Sequence, residues 1–202
     1  MIDLPTDLPA DLAPLSWLLG VWEGTGVIEY TAGETRFQGE FSHRVSFSHD
    51  GGPFLNYAAT ASFLGLEGQD EPVQLLAETG FWRLARPRTD ADPGPALLPP
   101  AAAGPARTVD DVEQLRSADG FPIEVSVAHS DGTLELYLGR IAGPRIDIST
   151  DAVVRPAGAA TKEYTAASRM YGLVDGHLLW AWDITALGEQ LKSHASARLA
   201  KV

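Results

Sequence analysis

A succession of short apolar–polar alternations, cut by turn dipeptides, constrains this chain more than any other feature. Residues 54–64 put Phe54, Asn56, Ala58, Thr60 and Ser62 on one side of an extended segment and Leu55, Tyr57, Ala59, Ala61 and Phe63 on the other. A period of two marks a strand with one face turned to a core. Comparable segments cover 20–30, 37–47, 73–85, 112–116, 123–129, 133–141, 145–148, 152–155, 162–173 and 177–184. Between them stand Asp50-Gly51-Gly52-Pro53, Ser130-Asp131-Gly132, Pro156-Ala157-Gly158 and Asp175-Gly176, all strong turn formers. Such a run of strands and turns is an all-β barrel or sandwich, and about ten antiparallel strands suffice to close a barrel around a cavity.

Two stretches depart from the pattern. Leu12, Leu15, Leu18 and Leu19 make an apolar stripe on a short N-terminal helix, capped by Asp7 or Asp11 and closed by Gly20. One short helix cannot form a core alone, so it is expected to plug or cover one. Residues 87–111 hold Pro87, Pro93, Pro95, Pro99, Pro100 and Pro105 among many alanines. Proline cannot donate to a sheet ladder, and this composition buries little. The segment is read as a mobile surface loop inserted between strands, because strands of the same kind resume beyond it. The chain is thus expected to be one domain over residues 1–202 with an insertion at about 87–111.

Composition removes several functions. The net charge of −12 repels a polyanion, and no basic cluster reverses that field, so nucleic acid is not an expected partner. An anionic membrane surface is disfavoured likewise, and no stretch approaches the roughly 20 apolar residues of a spanning helix. With no cysteine there is no disulfide, iron–sulfur cluster, thiolate-ligated haem or cysteine nucleophile. The N-terminal stretch lacks the basic start and apolar run of a signal peptide, and the protein is expected in the cytoplasm. A homodimer is left open.

Few residues carry a chemical signal. In Gly20-Val21-Trp22-Glu23-Gly24-Thr25-Gly26, Trp22, Gly24 and Gly26 share one face of a strand. Glycine weakens a strand unless another backbone or a ligand comes close, so the run marks a closure point or a pocket floor, and a corner without a ligand is the favoured reading. His43, His49, His129 and His177 fall near strand ends or turns and are read as solvated. No histidine pair has zinc spacing, no third ligand completes a set, and no two carboxylates form an isolated pair in an apolar setting. By spacing alone, Lys162 is a solvated strand-end lysine. His194, the fifth histidine, lies among small residues in Ser193-His194-Ala195-Ser196-Ala197. Leu187, Leu191, Ala195 and Leu199 recur at helical spacing, whereas the need to close a sheet favours a strand from about Ser193. As a strand it would place His194, Ser196 and Arg198 on one face.

Four stretches resemble, in order, the signatures of the nitrobindin family. They are Gly20-Val21-Trp22-Glu23-Gly24-Thr25-Gly26, the segment 47–57 around Asp50-Gly51-Gly52-Pro53, Glu78-Thr79-Gly80-Phe81-Trp82-Arg83, and the closing segment 185–199 that contains His194. The resemblance implies a ten-stranded antiparallel barrel of the fatty-acid-binding-protein type, with a strand at the end of the chain. It implies one ferric haem b per chain, His194 as its axial ligand and Lys162 beside it. It further implies a small-molecule ligand, with nitric oxide bound or peroxynitrite isomerised to nitrate by Lewis-acid assistance. The sequence departs from the family at two positions: Leu76 stands where the family often has histidine, and Ile184 where it often has methionine. Both changes make the cavity more apolar, and they motivate the alternative of a haem-free carrier of fatty acid or another apolar molecule.

Overall fold

The computed structural model describes residues 8–65, 72–156 and 163–202. The Ala157-Gly158 turn and Lys162 lie outside the described residues. Ten strands form one closed antiparallel barrel: β1 (Gly20–Ala32), β2 (Thr35–Ser48), β3 (Leu55–Phe63), β4 (Val73–Leu84), β5 (Phe121–His129), β6 (Leu134–Ala142), β7 (Arg145–Val154), β8 (Tyr164–Val174), β9 (His177–Ala186) and β10 (Lys192–Lys201). Each strand pairs with its neighbour in sequence, and β10 closes on β1. The alternation read for β3 holds, with Leu55, Tyr57, Ala59 and Ala61 buried and Ala58 and Thr60 exposed. The two short segments expected at 145–148 and 152–155 are a single strand, β7.

The glycines of the first strand serve the closing seam. Gly24 lies opposite Leu199 and Gly26 opposite Ala197 across the β1–β10 ladder. A Cβ on Gly24 would stand 2.2 Å from the carbonyl oxygen of Arg198, and one on Gly26 would stand 2.4 Å from that of Ser196. Backbone cannot retreat as a flexible side chain can, so the motif is a closure point and not a pocket floor. Gly20, at φ +118°, makes the left-handed entry into β1. Gly24→Ala is expected to cost about 1–3 kcal/mol through overpacking. Thermal unfolding followed by circular dichroism checks this, at about 2–4 °C per kcal/mol for a chain of this size.

A 3₁₀ helix, Ala10–Leu18, closes one end of the barrel. Leu12, Leu15 and Leu18 are fully buried in the core, and the indole of Trp22 donates to the Leu18 carbonyl at 2.7 Å. Asp11 does not cap this helix: Pro9 holds that position without a side-chain bond. Asp11 is buried and ion-paired with Arg107 at 3.2 Å and Arg86 at 3.6 Å. Arg86 also grips Asp92 through two bonds of 2.8 and 2.5 Å. The proline-rich insertion is therefore tied to the helix by ion pairs, Asp92 through Arg86 and Arg107 directly. It also contains α1 (Val109–Glu113), where a strand was expected from residue 112. The cause is local: the Thr108 side chain caps the Asp111 amide while the Asp111 carboxylate accepts from the Thr108 amide, and Val112 is buried.

Candidate functional site at the open end of the barrel

The site is built on a fault in the last strand. Ser193 pairs with Asp183 and Ala195 with Trp182, so His194 has no partner and forms a β-bulge. Strict alternation would set His194 on the outer face with Ser196 and Arg198. The extra residue re-aims it, as bulges do, toward the barrel mouth, while Ala195, Ala197 and Leu199 still face the core. The ring is fixed on three sides. Nδ1 donates to the Trp182 carbonyl oxygen at 2.9 Å, the Trp182 indole stands edge-on at 5.0 Å, and Tyr30 stands edge-on at 6.1 Å. A carbonyl only accepts, so the proton sits on Nδ1 and the Nε2 lone pair is left available. Burial lowers the pKa of His194 to about 4, a fall that the Trp182 carbonyl bond opposes and the Arg169 charge assists. At neutral pH the ring is uncharged.

Two adjoining cavities, of about 500 and 580 Å³, meet at His194, Leu75, Ile184, Ala186 and Leu187. The first is walled by Ile28, Tyr30, Phe37, Phe63 and Val73. The second is polar at its edge, with Asp131, Thr133, Arg155 and Glu163, and has Trp182, His129, Tyr164 and Leu76 along its wall. Leu76 and Ile184, the two departures from the family pattern, are thus both cavity residues. An apolar space with a charged rim and a neutral imidazole fits a flat, apolar macrocycle that carries acidic groups at its edge. Of the sequence-predicted site residues that are described, His194 lies here. Gly24 and Gly26 are on the seam, and Trp22 is at the end closed by the 3₁₀ helix.

Behind the second cavity lies a buried ionic cluster that the sequence did not reveal. Arg169 of β8 points into the barrel with its side chain 1 % exposed. It donates to both oxygens of Glu78 at 2.7 and 3.0 Å and to Glu135 at 3.0 Å, and its Nε donates to the Tyr137 hydroxyl at 2.9 Å. Glu78 and Glu135 also accept from the hydroxyls of Tyr57 and Tyr164 respectively. Burial pushes the Glu135 carboxyl upward, but His129, Arg169 and Tyr164 outweigh it and hold the group down at about 2. Glu78 is lowered in the same way, with Arg169 overcoming its desolvation.

Two histidines read as solvated are not: His43 is buried and His129 is half-buried. His43 is 2 % exposed, bonds the Thr60 carbonyl at 3.0 Å and packs on Trp180. His129 lies between Glu78 at 3.4 Å and Glu135 at 2.8 Å. His49 and His177 remain partly exposed beside their turns. Glu78 and Glu135 come together inside the barrel, though not as an isolated pair in an apolar setting, because Arg169 and His129 stand between them. Together with His129 they place three ligand atoms within 4.8 Å of one another. The guanidinium of Arg169 already fills the cationic position there, so the cluster is read as structural.

A closed ten-stranded barrel with one aimed, uncharged histidine at a mouth cavity defines a small-molecule-binding barrel. Residues 11–201 match the family described as the THAP4-like, heme-binding beta-barrel domain, and the chain belongs to that family. A protein named peroxynitrite isomerase from Clavibacter michiganensis subsp. michiganensis is 57% identical over 203 residues, covering 100% of both chains. Another of that name from Leifsonia xyli subsp. xyli is 56% identical over 202 residues, covering 100% of this chain and 99% of its own. The crystal structure of Rv2717c from M. tuberculosis superposes with a TM-score of 0.64 at 24% identity, covering 99% of each chain, and shares the fold.

Proposed function

We propose that this chain holds one haem b with His194 Nε2 as the axial ligand and Lys162 beside the group, and that the ferric form isomerises peroxynitrite to nitrate and binds nitric oxide. The observation that carries this reading is the Nδ1 bond from His194 to the Trp182 carbonyl. Metal-ligating histidines nearly always donate the other ring N–H to such a partner, which fixes the tautomer and raises the basicity of the ligating nitrogen. Membership of a haem-binding family and full-length relatives named peroxynitrite isomerase support the same conclusion. The whole chain is read as one domain acting in the cytoplasm on a small-molecule substrate.

When bound through His194, the group would supply Lewis-acid chemistry toward a peroxo anion. The protein supplies the rest. Trp182 and Tyr30 hold the imidazole in one orientation, so ligation costs little further ordering. Ile28, Phe63, Leu76 and Ile184 exclude water from the cavity walls. The test is stopped-flow decay of peroxynitrite with the hemin-loaded ferric protein at pH 7. Acceleration over the same concentration of free hemin, with nitrate as product, is expected. Decay no faster than with free hemin would sink the enzymatic reading.

A further inference from the structure

The ionic cluster reaches the cavity at His129 and at Tyr164, and at Tyr164 it joins a phenol to a buried base. We propose that Tyr164 is the site at which this protein is itself oxidised and nitrated by nitrogen oxide radicals that reach the cavity, with Glu135 taking the phenolic proton. The proposal rests on the reading that peroxynitrite enters this cavity.

The argument is a comparison of the five tyrosines. Two conditions decide which can lose an electron. The ring must meet the oxidant, and the phenolic proton needs an acceptor as the electron leaves, because an oxidised phenol is a strong acid. Tyr164 meets both: it lines the 580 Å³ cavity, and its hydroxyl donates to Glu135 Oε1. Tyr30 meets the first only. It lines the neighbouring cavity, but its hydroxyl donates to the Ala186 backbone carbonyl at 2.8 Å, a far weaker base than a carboxylate. Tyr57 meets the second only, bonded to Glu78 but 2 % exposed and lining neither cavity. Tyr137 and Tyr171 are fully buried, and the Tyr137 oxygen faces the Arg169 guanidinium, whose charge opposes oxidation. Glu135 is itself well placed to receive a proton without losing its hold. Its other oxygen keeps the bonds from His129 at 2.8 Å and Arg169 at 3.0 Å.

The chemistry balances with an oxidant of stated class. Homolysis of the O–O bond of protonated peroxynitrite releases nitrogen dioxide and hydroxyl radicals. One nitrogen dioxide takes an electron from Tyr164 and becomes nitrite, and the phenolic proton passes to Glu135. A second nitrogen dioxide forms a C–N bond at the ring carbon ortho to the oxygen. Loss of the proton from that carbon restores the aromatic ring and leaves 3-nitrotyrosine. The cavity thus carries its own radical sink, placed where peroxynitrite that escapes isomerisation would break down.

The experiment treats apoprotein and hemin-loaded protein with peroxynitrite at neutral pH and maps nitrotyrosine by peptide mass spectrometry. In the apoprotein, Tyr164 should carry at least about tenfold more nitro group than any other tyrosine, a modest share of the roughly 10²–10⁴-fold that a positioned base contributes to proton transfer. Equal labelling of Tyr30 and Tyr164, or preferential labelling of Tyr57, Tyr137 or Tyr171, would overturn the assignment. Tyr164→Phe removes one hydroxyl, and should cut total nitrotyrosine per chain by more than half with an unchanged circular dichroism spectrum. Unchanged total nitration in that variant would also overturn it. Glu135→Gln, checked for folding in the same way, should lower Tyr164 labelling several-fold, and undiminished labelling refutes the role of the base. Tyr164→Phe decides the main point even where Glu135→Gln does not fold. Loading with hemin should suppress labelling throughout. If it does not, the isomerase reading fails while the Tyr164 assignment stands on the apoprotein result.

Discussion

Hemin added to the His194→Ala protein is expected to give no Soret band of the kind that develops with the wild type, and binding should weaken by more than about 100-fold. Loss of an outer-sphere partner alone costs about 10–100-fold, and removal of the ligand costs more. The change leaves the fold intact, since His194 is an unpaired residue at a bulge and contributes no ladder pair. Equal spectra for the two proteins would remove His194 from the iron. The pH profile provides a second check. Burial holds the free imidazole at about 4, below the ordinary histidine value of 6.5. Protons therefore should not compete for Nε2 between pH 7 and 5, and the spectrum should persist there and fade toward pH 4. For the apoprotein the sign follows from linkage. Between about pH 6.5 and 4 the unfolded state binds more protons at this residue than the folded state, so its contribution to stability falls as pH falls.

Arg169→Met should be the most destabilising single change in the interior. It removes the cation held between Glu78 and Glu135, whose side chains are 0 % exposed. Stranding a buried charge in this way costs about 3–5 kcal/mol. Thermal unfolding should register the change, at about 2–4 °C per kcal/mol. The penalty should shrink in acid, because a protonated glutamate no longer needs the guanidinium. Adding Glu78→Gln and Glu135→Gln to Arg169→Met should recover part of the loss, since replacing a whole buried ionic set is milder than breaking it. A loss below about 0.5 kcal/mol for Arg169→Met, typical of surface positions, would show that the cluster is not held as described.

The barrel was legible wherever a strand keeps strict alternation and ends at a turn former. In β3 the inward residues Leu55, Tyr57, Ala59 and Ala61 could be named from spacing alone. The helical spacing of Leu187, Leu191, Ala195 and Leu199 competed with the strand in the last segment, and pairing with β1 decided the outcome. The site was less legible because its key directions arise from register faults. One bulge re-aims His194, and another irregularity separates Tyr164 from Ala166 in β8. A period-two reading carries no information about either. Arg169 was hidden for a different reason. Nothing near it in sequence marks it as buried, because the carboxylates that allow its burial lie 91 and 34 residues away. Residues 112–116 were read as a strand because the capping box of Thr108 and Asp111, which starts a helix there, was not weighed.

The pairing of β10 with β1 also orders events in time. It is the most non-local ladder in the barrel, so the chain must surrender its largest loop entropy before this ladder forms. The bulge that aims His194 belongs to that same strand. On this order, a partly folded chain would have its apolar walls before His194, the proposed ligand, is aimed. If His194 is the ligand, hemin should bind only the closed barrel, raising apparent stability by mass action without accelerating the search for the fold.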